Sequence, residues 1–394
     1  DQKVLSYDDQ AISGLQSGTV TAYAFIKEKI RNLEITPAQL ALDPCSASAV
    51  ITDVHTGEVR ALVTYPSYDN NKFSGTVDAE YYNKLNNDQS LPLFNNATQA
   101  QKAPGSTFKP IIAVAALEEG VIGLNDTVNC TGIYKEISPA LRCWIYPGQH
   151  GPLDVVHGIQ NSCNVFFSEM GHRLSMDENG NYSPELGIEK IRKYASLFGL
   201  DETSGIEIAE REPQMTTEKP EASSIGQGKN SYSNVQLSRY ITAVANKGTV
   251  FKLSLLDKMT DSQGNLLEDF TPEVRSVIDV KDSTWNAVHT GMRRVISDGS
   301  ARKIFSDLEV DIAGKTGTAE EIKNGHRINH AFFVSFAPYQ NPEIAVTVNI
   351  PYGYSSSNAA TAAKNIYRFY YGYTDLNYIL NNSALNSSNV EIGD

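Results

Sequence analysis

Several things are scarce in this 394-residue chain, and each scarcity closes off a class of protein. No stretch approaches the ~18 consecutive apolar residues of a membrane-spanning helix. No lysine and arginine block occurs, nor any interleaving of basic with aromatic residues. With 46 acidic against 33 basic side chains the formal charge is −13, which argues against a nucleic-acid binder. Cysteine is limited to Cys45, Cys130, Cys143 and Cys163, too few for a disulfide scaffold. There is no internal repeat. Asp1 is not a start methionine, so a shortened or processed chain without its anchor is expected.

What is present is an ordinary globular composition, 41 % hydrophobic and 20 % charged. The length allows two or three domains. The most informative stretch is 103–120, APGSTFKPIIAVAALEEG. An apolar run from Ile111 to Leu117, interleaved with alanines and stopped by Gly120, predicts a buried helix over about 106–118. Ser106 and Lys109 fall in its first turn, three residues apart and on one face. That arrangement pairs a hydroxyl nucleophile with an amine base. In isolation it reads more readily as a helix cap and a surface lysine. Pro110 lacks an N–H, so the Ser106 carbonyl is denied its usual helical bond and the helix start is expected to be irregular.

Elsewhere, 46–66 holds two β-branched runs around His55-Thr56-Gly57-Glu58, a hairpin signal. Residues 67–102 read as mostly irregular, and 121–153 as a loop region held by something other than regular structure. Helices are expected near 154–158, 165–170, 187–199, 233–248, 282–298 and 357–371, and further strands over 311–320, 331–338 and 343–350. The fold class is therefore α+β. An antiparallel five-stranded sheet, from 46–66 and 311–350, is flanked by helices, with an all-helical lobe inserted over about 103–300. Residues 1–45 read as a lead-in left from an N-terminal module, 46–375 as the main domain and 376–394 as a flexible tail.

Three short patterns follow one another: Ser106-Thr107-Phe108-Lys109, Ser162-Cys163-Asn164 and Lys315-Thr316-Gly317-Thr318. Each is weak alone; as an ordered set they are specific. Around them lie Trp144 with His150-Gly151, Ser224-Ile225-Gly226-Gln227-Gly228, Ala319-Glu320 and His330-Ala331-Phe332-Phe333. Over roughly 46–372 the chain resembles the transpeptidase domain of penicillin-binding proteins, the penicillin-recognising serine acyltransferases. It is most similar to the class B, elongation-type penicillin-binding protein 2 branch.

The resemblance implies the serine β-lactamase/transpeptidase-like fold and a role for each motif residue. Ser106 is the nucleophile. Lys109 is its base, made competent by partial burial and by the cationic Lys315 nearby, both of which lower a lysine pKa. Ser162 relays a proton towards the leaving amine, and Asn164 binds a substrate carbonyl and holds Lys109. Lys315, Thr316 and Thr318 favour a terminal carboxylate, and Gly317 lets substrate approach the strand closely. The backbone N–H groups of Ser106 and Thr318 form an oxyanion hole.

Cys130, Cys143, His150 and Cys163 are spaced C-x12-C-x6-H-x12-C. Three readings fit: a structural tetrahedral Zn²⁺ site, a Cys130–Cys143 disulfide, or buried free thiols, with zinc preferred. No cofactor is expected for catalysis.

The function implied is a peptidoglycan D,D-transpeptidase that acylates on D-Ala-D-Ala stem peptides and on β-lactam antibiotics. It would work at the outer face of a bacterial cell membrane through an absent N-terminal anchor, beside a membrane glycosyltransferase of the elongation machinery. The alternatives are a serine β-lactamase or D,D-carboxypeptidase, and a non-catalytic β-lactam sensor.

Overall fold

The computed structural model describes residues 5, 7–32, 34–40, 45–323 and 325–382. Two strand groups from opposite ends of the chain meet in one sheet. The first is the hairpin β1 (Ala47–Asp53) and β2 (Val59–Tyr65); the second comprises β3 (Ala313–Lys323), β4 (His326–Ala337) and β5 (Ile344–Ile350). Their order is β3-β4-β5-β1-β2, with every pairing antiparallel. The seam is β1 against β5, where Ser48 faces Asn349 and Asp53 faces Ile344. β3 is thus left as an edge strand bordering the inserted lobe.

Every residue of β4 from His330 to Ala337 is buried, because helices cover both faces of the sheet. The site depends on α1 (Lys109–Glu118), α2 (Val155–Gln160), α3 (Asn164–Leu174), α4 (Asn234–Ala245), α5 (Asp282–Ser297) and α6 (Ser356–Tyr370). Ser335 Oγ shares a 2.9 Å hydrogen bond with Tyr367 of α6. The next residue, Phe336, packs on the His289 ring of α5 at 4.9 Å. Successive strand side chains point to opposite faces, so these two helices lie on opposite sides. α4 starts with a capping box between Ser233 and Gln236. All its residues are buried, and its Thr242 hydroxyl bonds with Thr52 of β1 at 2.6 Å.

The inserted region differs from the all-helical lobe expected. It also holds four two-stranded sheets, pairing 128–130 with 151–153, 133–134 with 141–142, 249–252 with 273–277, and 258–260 with 266–269. Most of these strands are too short to display a period of two. The stretch 67–102, expected to be mostly irregular, contains a helix at Ala79–Asn86 capped by Asp78. Only Leu85 of it is buried, so it has no apolar stripe to betray it. Of 376–394, expected as a flexible tail, Leu376–Asn382 is helical; 383–394 lie outside the described residues. Among the described residues no helix is long and apolar enough to cross a membrane.

Phe336, fully buried between β4 and α5, tests this two-sided core. Phe336→Ala is expected to cost about 3–5 kcal/mol, read as a lower denaturant midpoint in equilibrium unfolding.

Candidate active site

The buried helix expected from 106 begins three residues later. Gly105–Phe108 is a turn of 3₁₀-helix, and the α-helix proper starts at Lys109. Pro110 is the cause. It offers no N–H to the Ser106 carbonyl, which instead accepts from the Lys109 N–H one residue earlier, a 3₁₀ bond. Ser106 stands on that turn, 7 % exposed, and Lys109 heads a helix buried throughout from Lys109 to Leu117. The turn is clamped from below: Thr107 Oγ1 donates to Pro104 O at 2.7 Å, Tyr240 of α4 donates to Thr107 O at 3.1 Å, and Phe108 stacks on Tyr232.

The second motif lies between α2 and α3. Ser162 takes a left-handed conformation, φ +50°, which costs a non-glycine residue about 1–2 kcal/mol. Three groups in this loop capture Lys109 Nζ: Ser162 O at 2.7 Å, Asn164 Oδ1 at 2.8 Å and Ser162 Oγ at 3.3 Å. The Phe167 ring centroid lies 5.5 Å from the amine. From the other side Lys315 Nζ donates to the same Ser162 hydroxyl at 2.8 Å and to Thr316 O at 3.0 Å. Both lysines are 0 % exposed. One hydroxyl therefore sits between two buried amines, and Lys109, Ser162, Asn164 and Lys315 converge, with Ser106 on the turn that leads into Lys109.

Two residues of the third motif have protein neighbours that the sequence did not reveal. A side chain on Gly317 would meet Thr107 Cγ2 at 2.7 Å and Pro104 O at 3.0 Å. This glycine lets the edge strand sit directly on the Ser106 turn. Thr316 Oγ1 shares a 3.2 Å hydrogen bond with Ser300 Oγ, from a segment after α5 to which sequence reading gave no role. Thr318 is partly exposed, and its carbonyl lies against Gly105.

The four cysteine and histidine positions also converge. Candidate ligand atoms of Cys130, Cys143, His150 and Cys163 all lie within 4.8 Å of one another. His150 Nδ1 is 3.5 Å from Cys130 Sγ and 3.7 Å from Cys143 Sγ, and the Cys143 and Cys163 sulfurs are 3.9 Å apart. A tetrahedron with Zn–S of about 2.3 Å and Zn–N of about 2.0–2.1 Å has edges of roughly 3.5–3.8 Å. The three separations of 3.5, 3.7 and 3.9 Å lie close to that figure, in a set that reaches no further than 4.8 Å, and the cysteines carry no disulfide. Hydrogen bonding from Cys163 holds the Cys143 and Cys130 thiols below their ordinary range, and the same sharing pushes Cys163 up. Cys163 Sγ caps α3 by accepting from Phe166 N at 3.4 Å, and Cys163 itself stands between Ser162 and Asn164 in the chain. The cluster is thus built into the wall that presents Asn164 and Ser162.

Residues 47–368 match the penicillin binding protein transpeptidase domain family. The chain belongs to this family. It is 31 % identical over 366 residues to the peptidoglycan D,D-transpeptidase MrdA of Haemophilus influenzae, covering 84 % of this chain and 53 % of that one. The chain therefore spans about half the length of the curated relatives it matches. A chain of a peptidoglycan synthase complex superposes with a TM-score of 0.73 at 26 % identity, over 84 % of this chain and 56 % of that one. Pseudomonas aeruginosa PBP2 in complex with WCK 5153 gives 0.71 at 28 % identity, over 82 % and 70 %.

Within this transpeptidase domain the support least visible in sequence is Ser224–Gly228. The motif was recognisable, but its contact was not. Gly105 N–H donates to Gly226 O at 3.1 Å, and a Cβ on Gly226 would lie 1.9 Å from Gly105 O. Gly226 also has φ +75°. Gly226→Ala is expected to destabilise by about 2 kcal/mol or more. The control Gly264→Ala, at φ +85° in open space, should cost only about 1 kcal/mol. Equal melting temperatures for the two would contradict the packing described.

Proposed function

We propose that the chain is the catalytic segment of a peptidoglycan D,D-transpeptidase. The observation that carries this reading is the Ser162 hydroxyl bridging buried Lys109 and Lys315, with Lys109 three residues after Ser106. Two ammonium groups either side of one buried hydroxyl are expensive. The arrangement is best satisfied when one amine is neutral, and Lys109, beside Ser106, is assigned that role.

The donor stem presents its D-Ala-D-Ala carbonyl to Ser106. Oγ bonds to the carbonyl carbon while its proton passes to the Lys109 amine, and the backbone N–H groups of Ser106 and Thr318 hold the oxyanion. The C–N bond then breaks, and the departing D-Ala nitrogen takes up a proton through Ser162. The amine of a neighbouring stem attacks the ester, surrenders its proton by the same route and frees Ser106. Lys315 supplies positive potential and Thr318 a hydroxyl for the terminal carboxylate. β-Lactams enter as donor mimics and leave a ring-opened ester.

A structural Zn²⁺ held by Cys130, Cys143, His150 and Cys163 is part of this proposal, supported by the donor set and its spacing. It would tie the 130–150 loop to the start of α3 and so steady Asn164 and Ser162. Catalysis needs no other cofactor. The relatives, named peptidoglycan D,D-transpeptidases, support a cell-wall role; work at the outer face of a bacterial membrane through an N-terminal anchor is part of the same proposal. A glycosyltransferase partner is supported by the synthase complex that coordinates polymerization and crosslinking.

Intact-mass analysis with a fluorescent penicillin tests the chemistry. The wild-type chain should gain one full β-lactam mass, Ser106→Ala none; an adduct that persists in the variant removes Ser106 as nucleophile. Slow loss of the adduct is expected, and rapid release would favour a β-lactamase. Elemental analysis should find about one zinc per chain. Chelation should then lower the melting temperature and the acylation rate together. Unchanged melting and acylation after verified metal removal would end the zinc assignment.

A further inference from the structure

Four residues outside the lysine and serine relay close a ring beyond the Thr318 end of the cleft. Glu321 lies on β3 three residues past Thr318, and its Oε2 accepts from Lys102 Nζ at 2.7 Å and from His330 Nε2 at 2.9 Å. On the other edge of the imidazole, Tyr352 N donates to His330 Nδ1 at 3.1 Å. The Lys102 ammonium lies 5.8 Å from the Tyr352 ring centroid, which completes the circuit. His330 is buried. With Nδ1 accepting, its proton must sit on Nε2, so a neutral imidazole donates to the carboxylate. Lys102, and after it His330, hold the Glu321 carboxyl down at about 2, so the acceptor stays charged.

The ring joins two walls that approach each other at the reaction centre. Lys102 precedes the nucleophile turn, and its backbone pairs with Tyr232. Three residues later Gly105 rests on the Thr318 carbonyl, where a Cβ would come within 2.6 Å. Lys102 is therefore tied to the Ser106 turn and Glu321 to the strand of Thr318. His330 belongs to β4, opposite Ala319, and Tyr352, at φ +58°, to the loop after β5. The separation of the Ser106 and Thr318 amides is set by direct contact at Gly105 and by this ring further out.

The geometry points to Lys102 and Glu321, seated by His330, as a brace that fixes the spacing of the two oxyanion-hole amides. They are positioning residues for acylation, an inference that rests on the reading of Ser106 as nucleophile. The Lys102 and Glu321 side chains are 26 % and 41 % exposed, and an ion pair so placed adds little to global stability. Its loss is read in rate rather than in melting.

Stopped-flow acylation by a chromogenic cephalosporin separates the acylation rate constant from the dissociation constant of the preceding complex. Glu321→Gln and Lys102→Met are each expected to slow acylation about tenfold, with dissociation constant and melting temperature nearly unchanged. Lys102→Arg, which keeps the cation, should restore most of the rate. Because both single changes break the same link, the double variant should be little slower than either. Wild-type acylation in both single variants overturns the brace, as does slowing that only tracks a lost folded fraction. A mass adduct on wild type that is absent from Ser106→Ala keeps the nucleophile assignment standing in that case. No adduct on wild type means the failure lies in that assignment instead.

Discussion

Two amines and one hydroxyl, all withdrawn from water, set the terms for the rest of this domain. A buried amine, charged or neutral, is tolerated only with its hydrogen bonds met, and here two lysines must be met at once. Lys109 is satisfied by the Ser162 carbonyl, the Asn164 amide oxygen and the Ser162 hydroxyl; Lys315 by the same hydroxyl and by its own strand. These contacts lie between 2.7 and 3.3 Å, and a hydrogen bond lengthened much beyond that is lost. Three elements from distant parts of the chain are thus held to one arrangement: the head of α1, the loop between α2 and α3, and the edge strand β3.

The loop bears most of the strain. Ser162 is left-handed, and such a conformation persists only when its surroundings over-determine it. Those surroundings are unusually well supplied. Asn164 Nδ2 donates to Arg142 O at 3.3 Å, Trp144 Nε1 donates to Asn161 O at 2.9 Å, and Cys163 caps α3 while facing Cys143. The long excursion 121–153 then has a physical purpose. It carries Cys130, Cys143 and His150 back to the motif whose backbone needs holding.

The opposite wall adds close backbone approach to its hydrogen bonds through Gly226 O and Lys315 Nζ. Gly317 on β3 and Gly226 on the segment after Pro220–Ser223 both press on the nucleophile turn without a side chain between. The turn is 3₁₀ because Pro110 removes one donor. Its contacts from Tyr240 and Tyr232 leave little room for Ser106 to shift. For the nucleophile role proposed for Ser106, rigid backbone would keep it near an attack geometry, where small displacements are costly in rate.

Sequence alone carried the parts that repeat locally or depend on residue chemistry. The apolar run after Lys109, the hairpin around Gly57 and the β-branched runs of β4 and β5 are local signals, and the three motifs name the reacting groups wherever the chain takes them. Most strands of the lobe's four short sheets were hidden because two to four residues show too little of a period to read, and the helix at Ala79–Asn86 because almost nothing in it is buried. The roles of Gly317, Gly226 and Ser300 were decided only by tertiary structure. What a missing Cβ makes room for depends on which distant segment lies opposite it, and for Gly317 that is the Ser106 turn. For the same reason the sharing of one Ser162 hydroxyl by Lys109 and Lys315 became visible only once the sheet edge met the helical lobe.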